Sequence, residues 1–460
     1  MLGRFQRIHM VGIGGIGMSS IAEVLLTRGF QVSGSDLATS DVTERLESLG
    51  AKVYKGHDAA QVGDAQLVVY SSAVKPDRNP ETKEATRLRI PLIPRSVMLG
   101  ELMRMKFGIG IAGTHGKTTT TSMAGLVVES GGFDPTIIVG GKVSVFGSNA
   151  VTGEGDVILV EADEYDRTFL RLTPSLAVIT NIEEEHLDIY RDLDDLLEAF
   201  VQFANSVPFF GAAILCLDDA NVQRIVGRID RRVVTYGTSR QADVRADRVR
   251  QDGLSMVFDV VHRGKRLGEA RVNQPGMHNV QNALAAITVG LELEIDFEGI
   301  VRGLDRFSGV QRRLHVLGEA RGVLVVDDYA HHPTEVVATL DAAVNSWPDR
   351  RIVAAFQPHL YSRTADFKEG FARAFFNADV LVLTEIYGAR ESEEQEISGQ
   401  TVADLAEQFG HRSVHYIEDK KALATGINEL VREGDVVITM GAGDIWRSSR
   451  ELLAMLEEGA

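Results

Sequence analysis

The residues best suited to chemistry begin at Gly113-Thr114-His115-Gly116-Lys117-Thr118-Thr119-Thr120. Glycines at this spacing let successive main-chain N–H groups turn toward one concavity, and a helix that follows adds the positive end of its dipole. Phosphate oxygens fit such a cradle. Lys117 can reach the terminal phosphates as a point charge, and the Thr118 hydroxyl is suited to a magnesium ion that bridges them. The strict Walker spacing would place glycine at position 111, where this chain has Ile111, so the loop is a variant of that pattern.

Further along, the apolar run Asp156-Val-Ile-Leu-Val-Glu161 ends in acids, as a buried strand does when it delivers a carboxylate beside a phosphate loop. Glu161 is the first choice of metal ligand, and a solvated acidic turn accounts for some of Asp163, Glu164 and Asp166. His186 follows another strand-like run, Leu176-Ala-Val-Ile-Thr180, and either a metal or a phosphate contact suits it. Near the N-terminus, Gly12-Ile-Gly14-Gly15-Ile-Gly17-Met18-Ser19 is a G-x-G-x-x-G turn, with Asp36 at the distance of an acid ending the second strand. Alone it indicates dinucleotide binding, although a UDP-type diphosphate would use the same helix end. Ser71, Ser72 and Ala73 are small residues after a strand of the same unit. In the last third, Val323-Leu-Val-Val-Asp327-Asp328-Tyr329-Ala330-His331-His332 and Gln357-Pro358-His359-Leu360-Tyr361-Ser362-Arg363 bring acids, a phenol, imidazoles and a guanidinium to strand ends.

Strand, glycine loop and helix recur around these sites. Arg7–Val11 reads as a strand before a helix at Met18–Leu26, and Phe107–Ala112 as a strand before a helix at Thr121–Glu129. Between residues 230 and 275 the pattern changes to short alternating runs with a Gln251-Asp-Gly253 turn, which predicts antiparallel strands. A helix from Met277 puts Asn279 and Asn282 on its first-turn face. From Arg312-Arg313 onward strand and helix alternate again, predicting a third α/β domain built on a parallel sheet. At roughly 150 residues per domain, 460 residues allow about three. The predicted fold is therefore α/β in three domains: Rossmann-like over 1–106, P-loop ATPase-like with added antiparallel strands over 107–312, and Rossmann-like over 313–460.

A formal charge of −17 with no dense Lys/Arg run argues against nucleic-acid binding, so anionic ligands must be held by local sites. The single cysteine, Cys216, reads as a buried strand residue and permits no internal disulfide, which suits a reducing cytoplasm. No run approaches the roughly 18 apolar residues of a membrane span. Two phosphate sites on one chain fit an enzyme that holds a nucleotide-linked substrate and spends ATP on it.

Taken together, these segments, with Glu161-Ala-Asp-Glu, His186-Leu-Asp188, His278-Asn279 and Gln311-Arg-Arg313, resemble the Mur ligase family across the whole chain. The first glycine loop and the Asp327–Pro333 segment are similar to its alanine-adding branch. The resemblance implies that ATP phosphorylates the lactyl carboxylate of UDP-N-acetylmuramic acid and that L-alanine attacks the acyl phosphate. It implies a nucleotide-sugar site at Gly14, Gly15, Gly17, Met18, Ser19, Asp36, Ser71, Ser72 and Ala73. ATP contacts are implied at Gly113 through Thr119, Asn279, Asn282, Arg312 and Asp328. Thr118 and Glu161 would hold one Mg2+ and His186 a second, while Tyr329, His331, His359 and Arg363 would surround alanine, with Arg363 on its carboxylate. Lys117, Glu161, His186 and Arg363 are the implied catalytic set, in a cytoplasmic monomer or homodimer. Asp192 to Val207 contains no lysine, where several Mur ligases carry a carbamylated one, and Leu360 stands where many members have arginine. The alternatives are a ligase of this type for another amino acid or a peptide, an NAD-dependent oxidoreductase, and a nucleotide sensor without catalysis.

Overall fold

In the computed structural model, residues 5–143, 148–185, 189–389, 391 and 397–458 are described. The chain forms two compact units. One comprises Met1–Val249, Val257–Val272 and Asn279–Ser308, and the other Arg250–Met256, Asn273–His278 and Gly309–Ala460.

The first unit begins with a five-stranded sheet in the order Lys52–Lys55, Gln31–Asp36, Arg7–Val11, Leu67–Tyr70, Leu92–Pro94, parallel throughout. The chain leaves its first strand toward one side and returns on the other. The carboxyl ends of Arg7–Val11 and Leu67–Tyr70 therefore open a crevice where the order switches, the usual ligand position in such sheets. Helix Ile16–Thr27 follows the first strand and buries Met18, Ile21, Ala22, Val24 and Leu25.

Phe107–Ala112 lies inside a ten-stranded sheet, with Leu176–Ile179 on one side and Val157–Glu161 on the other, both parallel to it. All three are apolar and buried nearly throughout, as strands covered on both faces must be. Thr136–Val143 and Ser148–Val151 extend one flank, the latter antiparallel. On the other flank run Ala212–Cys216, Val233–Gly237, Val244–Asp252, Ser255–His262 and Lys265–Val272. The last three are neighbours joined by two-residue links, which only antiparallel pairing permits. The helix after the phosphate loop spans Lys117–Ser130 and is buried on nearly every side. Its polar residues tolerate this because Thr121 donates to the Lys117 carbonyl (2.8 Å) and Ser122 to the Thr118 carbonyl (2.7 Å).

The second unit holds a six-stranded sheet in the order His315–Ala320, Val323–Asp328, Val436–Met440, Ile352–Phe356, Val380–Thr384, Val414–Ile417. It is not wholly parallel, as the alternation of elements suggested: His315–Ala320 pairs antiparallel with Val323–Asp328. The cause is the two-residue link Arg321-Gly322, both with positive φ (50° and 70°), which makes a tight hairpin at the sheet edge. Among the described residues no helix is long and apolar enough to cross a membrane.

Candidate active site

Three parallel strand ends build the phosphate loop's surroundings. Gly113 has φ 138°, and a Cβ there would lie 2.0 Å from the Thr180 hydroxyl at the end of the neighbouring strand, so only glycine lets the loop pass. Thr180 donates to the His115 carbonyl (2.7 Å), while Asn181 accepts from the His115 N–H (2.8 Å) and donates to the same carbonyl (3.0 Å). Gly116, with φ 80°, turns the chain into the helix, and Thr114 is tied through its hydroxyl to the Glu183 N–H (2.8 Å). The loop is thus fixed before any ligand arrives.

Lys117 points back into this loop. Its Nζ donates to the Gly113 carbonyl (2.6 Å), to the Thr114 carbonyl (3.1 Å) and to both oxygens of Glu164 (2.9 and 2.8 Å). Glu164 is buried, not part of a solvated turn; only Asp163 of the pair is exposed. The reason is the tight helical turn Tyr165–Arg171 after the strand, which brings the carboxylate inward, where Tyr190 donates to the Glu164 carbonyl (2.7 Å).

At the end of the same strand, Glu161 Oε2 accepts from the Thr118 hydroxyl (2.9 Å) and from the Gly140 N–H (2.7 Å). Burial pushes both Glu161 and Glu164 above the usual carboxylate range, Glu164 to about 7 in spite of Lys117. Burial works against the charge of Lys117 too, but Glu164, Asp163 and Glu161 all act on it, and they hold its pKa above the ordinary lysine value. Three carboxylates sharing one ammonium leave the lysine charged and the acids under-compensated. That excess of negative charge, with a hydroxyl and a carboxylate oxygen adjacent, fits a divalent cation of the hard, oxygen-preferring kind. His186 lies outside the described residues.

Asn279 and Asn282 are buried at the start of helix Met277–Glu292, beside the same loop. Asn282 donates to Asn279 Oδ1 (3.3 Å) and accepts from the Thr120 hydroxyl (3.1 Å). Thr119 is buried in the helix's first turn.

At the first glycine loop a cavity of about 280 Å³ is lined by Gly15, Gly17, Met18, Ser71 and Ser72, and its far wall is made of Gly140, Glu161 and Asp163. The nucleotide-sugar candidates and the metal candidate thus share one space. Asp36 fixes the loop by accepting from the Gly14 N–H (2.8 Å). Ser19 is buried and turns its hydroxyl to the Ile16 carbonyl (2.9 Å), and the Ala73 N–H reaches the Ser71 hydroxyl (3.4 Å). Arg95, at the start of helix Arg95–Arg104, also lines the cavity; no motif announced it, because nothing in its local sequence shows that this helix faces the loop.

In the second unit, strand ends gather Tyr329, His331, His359 and Arg363. The Tyr329 and His331 rings meet edge to face at 5.3 Å, and the His331 and His359 rings at 6.2 Å. Arg363 Nη1 donates to His359 Nδ1 (3.3 Å). Tyr387, unmarked in the sequence, stacks on His359 at 5.7 Å, with main-chain bridging between the two residues. Between His359 and Arg363, Leu360 is held at φ 70°, a strained position of the kind found at functional sites. Arg312 donates to Asp327 (3.1 Å) and to the Gly441 and Gly443 carbonyls (2.6 and 3.2 Å) and lies over the Tyr329 ring. Asp328 accepts from the Leu314 and Ala330 N–H groups (2.6 and 2.7 Å), and burial raises its pKa to about 6. Cys216 is inert by contrast: burial pushes its thiol to about 12.

This combination of fold and sites has a match in known proteins. Residues 7–107 match the model of the Mur ligase family catalytic domain, 111–290 the Mur ligase middle domain and 312–443 the Mur ligase glutamate ligase domain. The chain belongs to the Mur ligase family. Within it, the chain is 66% identical over 456 residues to the UDP-N-acetylmuramate--L-alanine ligase of Salinibacter ruber, covering 99% of this chain and 96% of that one. It is 52% identical to the enzyme of the same name from Pelobacter propionicus, over the whole of both chains. Among solved structures, the UDP-N-acetylmuramate-alanine ligase of Thermotoga maritima is similar with a TM-score of 0.81 at 29% identity, covering 99% of this chain and 100% of that one.

Proposed function

We propose that this protein joins L-alanine to UDP-N-acetylmuramic acid at the expense of ATP, giving the amide, ADP and phosphate. One observation carries the reading beyond family membership. The cavity at the first glycine loop, where a nucleotide sugar would lie, ends on Glu161 and Asp163 beside the phosphate loop. A carboxylate substrate held there faces the group that would be transferred to it.

In this reading Gly14, Gly15, Gly17, Met18, Ser71, Ser72 and Arg95 hold the diphosphate and sugar, with Asp36 bracing the loop. Gly113 through Thr119 cradle the phosphates of ATP, Asn279 and Asn282 meet its base and ribose, and Arg312 and Asp328 contact the nucleotide from the last domain. Lys117 carries a fixed positive charge to the moving phosphoryl group, where charge stabilisation and positioning supply most of the rate. Thr118 and Glu161 would hold one Mg2+ and His186 a second. These ions, when bound, neutralise charge on the phosphate oxygens. Tyr329, His331, His359 and Arg363 receive L-alanine, the guanidinium pairing with its carboxylate. The reaction belongs to the cytoplasm, where both nucleotide substrates are available, and the domains divide near residues 106 and 312.

The test is product analysis by mass spectrometry. Incubation with UDP-N-acetylmuramate, L-alanine, ATP and Mg2+ yields a product heavier than the sugar nucleotide by alanine minus water, with ADP and phosphate in equal amounts. Omission of any one component abolishes it. Phosphate release without that product would refute the reading.

A further inference from the structure

We propose that Glu335 is a positioning residue for amide formation: together with the Tyr329 carbonyl it keeps a hydrogen on His331 Nδ1, and its charge supports the ring when Nε2 of the neutral imidazole accepts a proton from the incoming amino group. The inference rests on the reading of Tyr329, His331, His359 and Arg363 as the amino-acid cluster.

Glu335 stands in the first turn of helix Pro333–Ser346, buried. Its Oε2 lies 3.0 Å from the His331 main-chain N–H and 3.1 Å from His331 Nδ1, while Oε1 accepts from Arg313 Nη1 at 3.2 Å. N–H donors thus converge on both oxygens, the surroundings of an ionised carboxylate. On its other side His331 Nδ1 faces the Tyr329 carbonyl oxygen at 3.0 Å. The hydrogen bond of Nδ1 goes to the Tyr329 carbonyl and the Glu335 carboxylate stands beside it, both acceptors only, so Nδ1 carries the hydrogen and in the neutral ring the lone pair is on Nε2. Nε2 has no hydrogen-bond partner among the described residues, and the His331 side chain keeps some exposure (17%).

The charged groups around the dyad leave the assignment intact. Arg313 faces Glu335, and Arg312 and Arg313 lie over the Tyr329 ring at 4.9 and 5.5 Å. His278 is exposed and feels the charges of both Arg313 and Glu335. Asp328 is occupied by two main-chain N–H groups, and the His359 ring stands 6.2 Å from that of His331. Glu335 is the only carboxylate on the Nδ1 side among these groups.

Chemically, free alanine is an ammonium ion and must lose two protons as the amide forms. One passes to His331 Nε2, freeing the nitrogen lone pair that attacks the acyl-phosphate carbon. The carbon–oxygen bond to phosphate breaks with its electron pair on the leaving phosphate, which takes the second proton. The imidazolium left behind is stabilised by Glu335 across the ring, as a carboxylate supports a histidine base elsewhere.

The experiment compares wild type with Glu335→Gln. The variant is expected to lose kcat by roughly 10- to 100-fold with the KM values for ATP and the sugar nucleotide unchanged. Hydroxylamine, largely uncharged at assay pH, needs no such base, so hydroxamate formed from the acyl phosphate in place of alanine should persist at the wild-type rate. An unchanged kcat for alanine ligation, or hydroxamate formation lost in proportion to it, would overturn the proposal. If Glu335→Gln fails to fold, Glu335→Asp, which keeps the charge but withdraws it from Nδ1, is read the same way. Absence of hydroxamate with the wild-type enzyme would instead count against acyl-phosphate chemistry as a whole.

Discussion

Replacing Glu164 with Gln removes the buried carboxylate from a cluster in which three carboxylates act on Lys117. Burial raises Glu164 from 4.5 to about 7, and at roughly 1.36 kcal/mol per pH unit that gap corresponds to about 3 kcal/mol. The sign follows from proton binding. With its pKa raised, folded Glu164 keeps a proton that the unfolded chain releases, so the group costs nothing below pH 4.5 and its full penalty is present above pH 7. The glutamine variant has no such dependence. Calorimetric melting of nucleotide-free protein at pH 4.5 and at pH 8.5, following the transition of the unit that contains Glu164, should show the variant gaining about 3 kcal/mol on wild type between the two. At roughly 2 °C per kcal/mol for a unit of this size, the relative shift is about 6 °C. A difference between the two proteins that stays constant with pH would show that Glu164 is not an under-compensated buried acid, and the charge argument for a cation beside it would fail with it.

Glu161→Gln removes the carboxylate that shares Thr118 and Gly140, and should lower kcat by roughly 10²- to 10³-fold while raising the Mg2+ concentration needed for half-maximal rate; a Mg2+ titration that superimposes on wild type would contradict the metal assignment. Arg95→Ala should raise KM for the sugar nucleotide roughly 10- to 100-fold, the worth of a charged hydrogen bond, and leave KM for ATP within about twofold. The reverse pattern in steady-state kinetics would place Arg95 with the wrong substrate. Gly116→Ala meets two obstacles, φ 80° and an Asn282 Oδ1 only 2.5 Å from the new Cβ, so ATP affinity measured by calorimetry should fall roughly tenfold while sugar-nucleotide binding persists. Unchanged ATP affinity would mean the loop tolerates a different backbone.

Where a site is built from one stretch of chain, the sequence was legible. Phe107–Ala112 is the strand the apolar run indicated, and the helix after the loop begins at Lys117, a little before its apolar periodicity becomes visible. The same holds for Asp36, whose spacing from the glycine turn reflects a real contact with Gly14. Residues brought in by topology were not legible. Gly140 reaches Glu161 only because Thr136–Val143 pairs beside Val157–Glu161, and Arg95 faces the cavity only because its helix returns past the first glycine loop. Glu164 was obscured for a different reason: an acid after a strand looks solvated until the partner that draws it inward, Lys117, is known to be 47 positions away in sequence and under 3 Å in space. Tyr387 carries no local signal either, since its role depends on stacking against a histidine from another strand end. The antiparallel edge at His315–Ala320 could have been read from Arg321-Gly322, a pair suited to a two-residue hairpin.

The most direct test of the central claim is the amino-acid specificity of coupled phosphate release, measured as kcat/KM with UDP-N-acetylmuramate, ATP and Mg2+ held constant. L-alanine should exceed D-glutamate, and any muramyl-type tripeptide, by several orders of magnitude. Equal or greater turnover with D-glutamate or a tripeptide would contradict the assignment of the Tyr329, His331, His359 and Arg363 cluster to alanine.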